Sequence, residues 1–137
     1  VVALSPTQRL SVLEIAGFVT WATGLAGEAV ADWQLHRFKV DRARAGRVCT
    51  SGLWRYSRHP NYFCEWLVWV GWALYALGSP FGWLAIICPV LLLHFLLRVT
   101  GIPATEAQAL RTRGEDYRRY QQTTSAFVPW FPRKASR

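Results

Sequence analysis

Polar residues that could bind a ligand are concentrated between Gly52 and Glu65, directly before a long uncharged stretch. Their order is Gly52-Leu-Trp-Arg-Tyr-Ser-Arg-His-Pro-Asn-Tyr-Phe-Cys-Glu65. Pro60 suits the first turn of a helix, where its missing N–H costs little, so a helix is predicted to begin there. Asn61 and Glu65 then share one face of that helix. Guanidinium groups beside a helix N-terminus suit phosphate oxygens, while the amide and the carboxylate suit sugar hydroxyls. The pattern therefore favours binding of a large anionic cofactor.

Two further polar groups are expected on the same side of the molecule. One runs from Glu28 to Lys39, after the first apolar stretch, and the other runs from Arg98 to Glu106, after the last. An ionisable side chain at membrane depth is costly unless it is paired or lines a wet cavity, which makes Glu65 a candidate site residue. The alternative is an interfacial carboxylate paired with Arg58 or Arg98.

The basic and aromatic residues near these groups have two possible roles. Contact with anionic lipid headgroups is favoured for four arginines, namely Arg37, Arg42, Arg44 and Arg47. A role in the site is favoured for the residues that adjoin the aromatic helix ends, namely Arg58, His59 and Arg98. Three aromatic residues within the polar stretch could stack on a cofactor, namely Trp54, Tyr56 and Tyr62.

Other chemistries are excluded by missing motifs. The sequence has no GxGxxG after a strand and no GxxxxGK[ST], so it encodes neither a Rossmann nor a P-loop nucleotide site. Its three His residues lack metal-ligand spacing, and its three Cys residues contain no CxxC pair, so no metal site and no disulfide framework are predicted. Ser57 has no GxSxG context.

The elements that carry the polar groups are predicted from the distribution of charge. No charged side chain occurs in the 32 residues from Trp66 to Leu97. One helix of that length would be roughly 48 Å long, against a hydrocarbon core of ~30 Å. The turn residues from Gly78 to Gly82 therefore predict a hairpin of two membrane helices, at about 62–77 and 83–99.

A third membrane helix is predicted at about 10–31, where small residues four apart would let another helix approach closely. A surface helix at about 105–121 is predicted within a cytoplasmic tail of about 103–137. The fold class expected is all-α, a multi-pass transmembrane helical bundle with about three membrane helices and one cytoplasmic surface helix.

The charge of the chain supports this arrangement. Sixteen Lys and Arg residues against eight Asp and Glu give a net charge of +8, although 52% of the residues are hydrophobic. Seven cations lie between Arg37 and Arg58 and eight between Arg98 and Arg137. They flank the apolar segments on one side, which the positive-inside rule identifies as cytoplasmic. Membrane lipids are thus the expected partners, and nucleic acid is not. Since the chain has no Met, residues 1–137 are expected to be one C-terminal membrane domain of a longer protein.

The stretch from Gly52 to Glu65 resembles the C-terminal domain of the steroid 5-alpha reductase family, most closely its uncharacterised bacterial and protist branch. The segments Glu28–Lys39 and Leu97–Pro103 and the tail from Glu115 to Trp130 extend the resemblance over nearly the whole chain. The RHPNY core is shared with sterol C14 reductases and, as RHPxY, with isoprenylcysteine carboxyl methyltransferases.

The resemblance implies that this half of the protein binds NADPH from the cytoplasmic side. The positions that it assigns to cofactor binding are Asp32, Lys39, Tyr56, Arg58, His59, Asn61, Tyr62, Glu65 and Arg98. It places the acid that polarises the substrate carbonyl on N-terminal helices, so no catalytic residue is predicted here. Two departures are Cys64, where the family usually has Gly, and Ile102, near the position of a His in the steroid-specific members.

The function expected is NADPH-dependent reduction of an activated C=C bond in a lipid or sterol-like substrate. One alternative is a lipid or isoprenylcysteine methyltransferase that binds S-adenosylmethionine in the same cavity. A second is a non-catalytic membrane module that binds lipid or a protein partner. The expected location is the inner membrane in a bacterium, or the endoplasmic reticulum in a eukaryote.

Overall fold

A computed structural model describes residues 11–134. All the regular secondary-structure elements assigned in that range are helices. The helices are α1 (Val12–Val40), α2 (Pro60–Ala76), α3 (Ile87–His94), α4 (Gly101–Arg113) and α5 (Glu115–Thr123). Short 3₁₀ turns cover 42–44, 52–55 and 82–86, and one π turn covers 95–99. The predicted all-α class is confirmed.

Helix α1 begins with a capping box. The Ser11 hydroxyl accepts a hydrogen bond from the Glu14 N–H at 3.2 Å, and the Glu14 carboxylate accepts one from the Ser11 N–H at 2.7 Å. These two bonds satisfy N–H groups that a helix start leaves free. The helix continues beyond the predicted end at residue 31, because residues 32–40 contain no Gly or Pro. Asp32 and Lys39 therefore lie on α1 itself.

Helices α1 and α2 pack antiparallel with their backbones in close contact. A Cβ atom added at Gly24 would lie 2.7 Å from the Cys64 carbonyl oxygen, and one added at Gly71 would lie 2.5 Å from the Trp21 backbone nitrogen. Only glycine leaves enough room at such positions. The small residues of the first segment therefore lie where α1 and α2 approach closely, as their spacing predicted.

The turn predicted between Gly78 and Gly82 is present. Helix α2 ends at Ala76, Phe81 adopts a left-handed backbone with φ of 62°, and the helical path resumes at Gly82. Within residues 11–134, one continuous helical path, the 32 residues Gly82–Arg113, is long and apolar enough to cross a membrane. Helix α2 has 17 residues. The multi-pass arrangement of three membrane helices stays a prediction.

The predicted single surface helix at about 105–121 is two helices in the structure. Gly114 has φ of 52° and ψ of −121°, a conformation that ends α4 and separates it from α5. Residues with a Cβ rarely adopt such a positive φ, so glycine supplies the break. Helix α5 folds back beside the polar stretch 49–59 and brings its tyrosines to the candidate site.

Candidate functional site

A cavity of about 460 Å³ lies among the end of α1, the loop before α2, the start of α2, and helices α4 and α5. Its volume falls within the range of roughly 300–1,000 Å³ that is typical of small-molecule sites. Five of the nine predicted site residues line this cavity, namely Lys39, Arg58, His59, Asn61 and Tyr62. The structure thus brings the central part of the predicted set together around one space.

Asp32 and Glu65 lie beside the cavity rather than in its wall. The Asp32 carboxylate accepts a hydrogen bond from the Asn61 side-chain amide at 3.2 Å, which links α1 to the cavity edge. The carboxylates of Glu65 and Asp32 both lie within electrostatic range of Glu28 on α1. A strip of carboxylates therefore continues outward from Asn61 along the contact between α1 and α2.

Tyr56 and Arg98 lie outside the cavity lining. Tyr56 is 38% exposed, and the Arg55 guanidinium lies 6.0 Å from the centre of its ring. Arg98 is exposed on the π turn that precedes α4. Their predicted contact with a cofactor depends on a ligand that extends beyond the cavity.

The loop that carries the polar motif is held in place by hydrogen bonds from two helices. The Trp54 indole N–H donates to the Ala31 carbonyl at 3.0 Å, and the Leu53 N–H donates to the Gln34 side-chain oxygen at 3.0 Å. From α5, the Tyr120 hydroxyl donates to the Trp54 carbonyl. Trp54 is 7% exposed, which makes its first role structural although it also borders the cavity.

Ser57 ties the same loop to the chain beyond α5. Its side chain is fully buried, and its hydroxyl donates to the Phe127 carbonyl at 2.8 Å while accepting from the His59 N–H at 3.1 Å. The Arg58 N–H donates to the Ser125 carbonyl at 2.8 Å. Ser57 is thus a structural residue that fixes the backbone direction of Arg58 and His59.

Glu106 on α4 is the centre of a buried polar network behind the cavity wall. Its Oε2 atom accepts hydrogen bonds from Arg58 Nη1 and from the Tyr117 hydroxyl, the latter at 2.8 Å, and lies 3.6 Å from His59 Nε2. The Arg58 and Glu106 side chains are 10% and 13% exposed. Burial, and next the hydrogen bond to Glu106, raises the pKa of the Tyr117 hydroxyl well above its usual value. Arg58 therefore pairs with Glu106 and not with Glu65.

Two buried nitrogens at the cavity have no hydrogen-bond partner among residues 11–134: Arg58 Nε and His59 Nε2. His59 Nε2 faces Glu106 Oε2 at 3.6 Å, just beyond hydrogen-bond distance, and so belongs to the Glu106 network. Buried polar groups are almost always satisfied, which leaves Arg58 Nε as the atom that a ligand or water could satisfy. The His59 ring stacks on Tyr62 with centroids 5.4 Å apart and planes within 8°. The Tyr62 hydroxyl also forms a hydrogen bond with Thr105 at 3.0 Å, so one face and the tip of this ring are already in contact with protein.

Two further cations line the cavity that the sequence did not assign to the site. Arg47, which the sequence favoured as a lipid-headgroup contact, and Arg113, near the end of α4, both lie in the wall. The Arg113 Nε–H donates to the Arg47 carbonyl at 3.1 Å, which holds the two residues together. Together with Lys39 and Arg58 they give four cations in the lining, which contains no carboxylate from the described residues 11–134. The donor set therefore fits a phosphorylated ligand.

The sequence contained a partial signal for the residues it missed. Glu106 lay in the polar group after the last apolar segment, but its pairing with Arg58 joins residues that are 48 positions apart. The two tyrosines of α5, Tyr117 and Tyr120, are three apart and share a buried helix face. Nothing in the sequence indicated that Arg113 would lie beside Arg47.

Cys64 does not crowd the cavity. It is buried at the contact with α1, where its Sγ atom would lie 2.6 Å from a Cβ atom added at Gly27. The larger residue at this position is therefore accommodated by a glycine on the facing helix. No group of three or more His, Cys, Asp and Glu side chains that could hold a metal ion occurs in the part of the chain that the structure describes.

Comparisons with known proteins agree with the resemblance seen in the sequence. A family model described as "Protein of unknown function (DUF1295)" matches residues 1–124. A Delta(14)-sterol reductase of Methylotuvimicrobium alcaliphilum is 32% identical over a match that covers 80% of this chain. The same match covers 28% of that reductase, so the chain spans less than a third of its length. No solved structure matches the chain significantly.

Proposed function

The chain belongs to the DUF1295 family, and we propose that it forms the cofactor-binding part of an NADPH-dependent membrane reductase that reduces an activated C=C bond in a lipid or sterol-like substrate. The observation that carries the proposal is the cavity, whose lining among residues 11–134 has four cations and no carboxylate. The 32% identical Delta(14)-sterol reductase supports the reaction class.

Three of the cations are suited to hold the phosphates of NADPH. Lys39, Arg47 and Arg113 have no carboxylate within ion-pair distance among residues 11–134, whereas Arg58 is neutralised by Glu106. Guanidinium and ammonium groups bind phosphate oxygens with charge-assisted hydrogen bonds, which are about twice as strong as neutral ones. The Arg113 Nε–H is held by the Arg47 backbone carbonyl, so the Arg113 side chain is already partly ordered before a ligand binds.

Other residues at the cavity are suited to the uncharged parts of the cofactor. The Asn61 amide lies beside the Asp32 carboxylate. The amide N–H can donate a hydrogen bond to a ribose hydroxyl, and the carboxylate can accept one from it. The Tyr62 ring, which stacks on the buried His59 ring, contributes an aromatic surface to the lining. NADPH would supply a hydride for the C=C bond, and the residues described here would bind and orient it and exclude water.

The lipid or sterol-like character of the substrate rests on the membrane setting. Large apolar side chains are exposed on α1, α2 and α3, including Phe18 at 62%, Trp72 at 53% and Val90 at 59%. In water such surfaces would favour aggregation, and within a bilayer they contact lipid tails. A substrate dissolved in the same bilayer could reach the site without entering water.

Binding measurements on the purified protein in lipid nanodiscs test the proposal. We expect saturable NADPH binding that is weakened about 10-fold by Lys39→Gln and by Arg113→Gln, because each removes one charge-assisted bond. Arg42→Gln is the matched control, since Arg42 is exposed and outside the lining, and it should leave the affinity unchanged. Glu65→Ala and Arg98→Ala test whether the bound cofactor extends past the cavity, as the family resemblance implies.

Other ligands distinguish the alternatives. If S-adenosylmethionine raises the thermal stability of the protein while NADPH shows no saturable binding, the reductase proposal is wrong and a methyltransferase is favoured. If neither molecule binds, a non-catalytic membrane module is favoured. Equal loss of affinity in the Arg42 control and in the cavity variants would show that overall charge, not this cavity, determines binding.

A further inference from the structure

The chain after α5, which we call the tail segment (residues 124–134), is fixed to the body of the protein by its backbone. The Trp130 N–H donates to the Tyr56 carbonyl at 3.0 Å, and the Arg133 N–H donates to the Thr123 carbonyl at 2.7 Å. Closer to α5, the Phe127 carbonyl accepts from the Ser57 hydroxyl. The tail segment therefore has a defined direction, although it is not a helix.

The tail segment buries one aromatic side chain and exposes two others. Phe127 is 7% exposed and packs edge-to-face against Phe63 and Trp66, with ring centroids 5.4 Å and 5.9 Å away. Trp130 is 67% exposed and Phe131 is 75% exposed, with their rings 6.1 Å apart. The backbone hydrogen bonds and two flanking prolines, Pro129 and Pro132, limit the rotation that would turn these rings inward.

The depth of the tail segment follows from the residues that Phe127 contacts. Phe63 and Trp66 lie in the first two turns of α2, where the charged motif gives way to the uncharged stretch. The same apolar cluster contains Leu92 and Leu96, which lie where the uncharged path through α3 comes to its end. Trp130 follows Phe127 by three residues, and its backbone pairs with Tyr56 in the loop that leads into α2. The exposed rings of Trp130 and Phe131 therefore lie beside the polar end of the apolar helices. Aromatic residues are enriched at that level of a membrane protein.

Charge on the tail segment identifies the partner. Arg133 and Lys134 follow the exposed rings directly and are themselves exposed. Cations beside interfacial aromatic rings are attracted to anionic lipid headgroups. We propose that the tail segment docks on the headgroup layer of an anionic bilayer, with Trp130 and Phe131 inserted and with Arg133 and Lys134 on the headgroup phosphates. This interaction is independent of any cofactor.

A fluorescent label at residue 131 tests the proposal in the full chain. The label is attached through Phe131→Cys in a Cys88→Ser background, since Cys49 and Cys64 are buried. The protein is placed in nanodiscs of phosphatidylcholine, with or without phosphatidylglycerol, and quenching by lipids that carry a spin label near the headgroup is measured. We expect at least a twofold increase in quenching when phosphatidylglycerol is present, and loss of that increase in the Arg133→Gln/Lys134→Gln variant.

A label at Glu115→Cys is the matched control, because the Glu115 side chain is 82% exposed on α5, and it should not be quenched by the lipids. Since the label replaces Phe131, quenching of native tryptophan by brominated lipids provides a second measurement. The difference between wild type and Trp130→Phe should reveal a lipid-accessible Trp130. Equal quenching of both labels by aqueous iodide would overturn the proposal. A residue-131 label that is protected from both iodide and lipid quenchers would also overturn it, since a protein surface would then cover the tail segment.

Discussion

Replacing Glu106 with Ala should weaken the contact between α4 and the loop that carries Arg58. The substitution removes the acceptor for Arg58 Nη1 and for the Tyr117 hydroxyl. It also leaves the Arg58 side chain, which is only 10% exposed, without its counter-charge. Breaking a buried ion pair by removing one partner costs about 3–5 kcal/mol. Because both side chains keep some access to solvent, we expect a cost near the lower limit, about 3 kcal/mol.

Hydrogen exchange in nanodiscs can measure this cost locally. Since each 1.4 kcal/mol changes an equilibrium tenfold, the amides of residues 57–59 and of α4 should open roughly 100 times more often in Glu106→Ala. Glu115→Ala is the control, because it removes an exposed pair with Arg118 at 3.0 Å and should cost less than about 1 kcal/mol.

A double variant separates the ion pair from simple loss of packing. In Arg58→Met/Glu106→Met neither charge is left unpaired, so this protein should be less destabilised than either single Met variant. If the two single effects instead add to within about 0.5 kcal/mol, Arg58 and Glu106 do not stabilise one another and our interpretation of the network is refuted.

Two further predictions concern the helix contact and the buried tyrosine. Gly24→Leu should destabilise the packing of α1 on α2 by at least about 2 kcal/mol, because the new side chain meets the Cys64 backbone. The control is Ala26→Leu, at an exposed position of the same helix, which should be tolerated. Resistance to protease measures both effects. Near pH ~10, where exposed tyrosines ionise, Tyr117→Phe should lose no tyrosinate absorbance relative to wild type, since the raised pKa keeps this hydroxyl protonated. Loss of absorbance equal to one tyrosine would contradict that assignment.

The sequence predicted the features that depend on neighbours along the chain. Pro60 at a helix start, the turn between Gly78 and Gly82, and the small residues of the first segment each specify a local geometry, and the structure contains all three. The grouping of Arg58, His59, Asn61 and Tyr62 was predictable for the same reason, because adjacent residues at a helix start stay together in space.

The sequence could not predict contacts between distant segments. The Arg58–Glu106 pair and the hydrogen bond from Ser57 to Phe127 join residues 48 and 70 positions apart. Periodicity indicates which residues share a helix face, but it does not indicate which face of α4 meets the loop. The break at Gly114 is a second feature that the sequence did not predict. A single helix through this position would have carried Tyr117 and Tyr120 away from the site.

The network around Glu106 changes which cations are suited to phosphate. The sequence favoured Arg58 as a site residue and Arg47 as a headgroup contact. In the structure Arg58 has a carboxylate partner, whereas Arg47 lies in the cavity wall with no carboxylate partner in the described part of the chain. A phosphate that approached Arg58 would have to compete with Glu106 at close range, and like charges repel strongly where water is excluded. If the cavity holds NADPH as we propose, its phosphates should therefore lie toward Lys39, Arg47 and Arg113. Arg58 would then contact the cofactor only through its Nε–H. Because Arg113 is one of the three cations expected to bind phosphate, Arg113→Gln should weaken NADPH binding, and the remaining binding should depend less on salt concentration since one charge pair is lost.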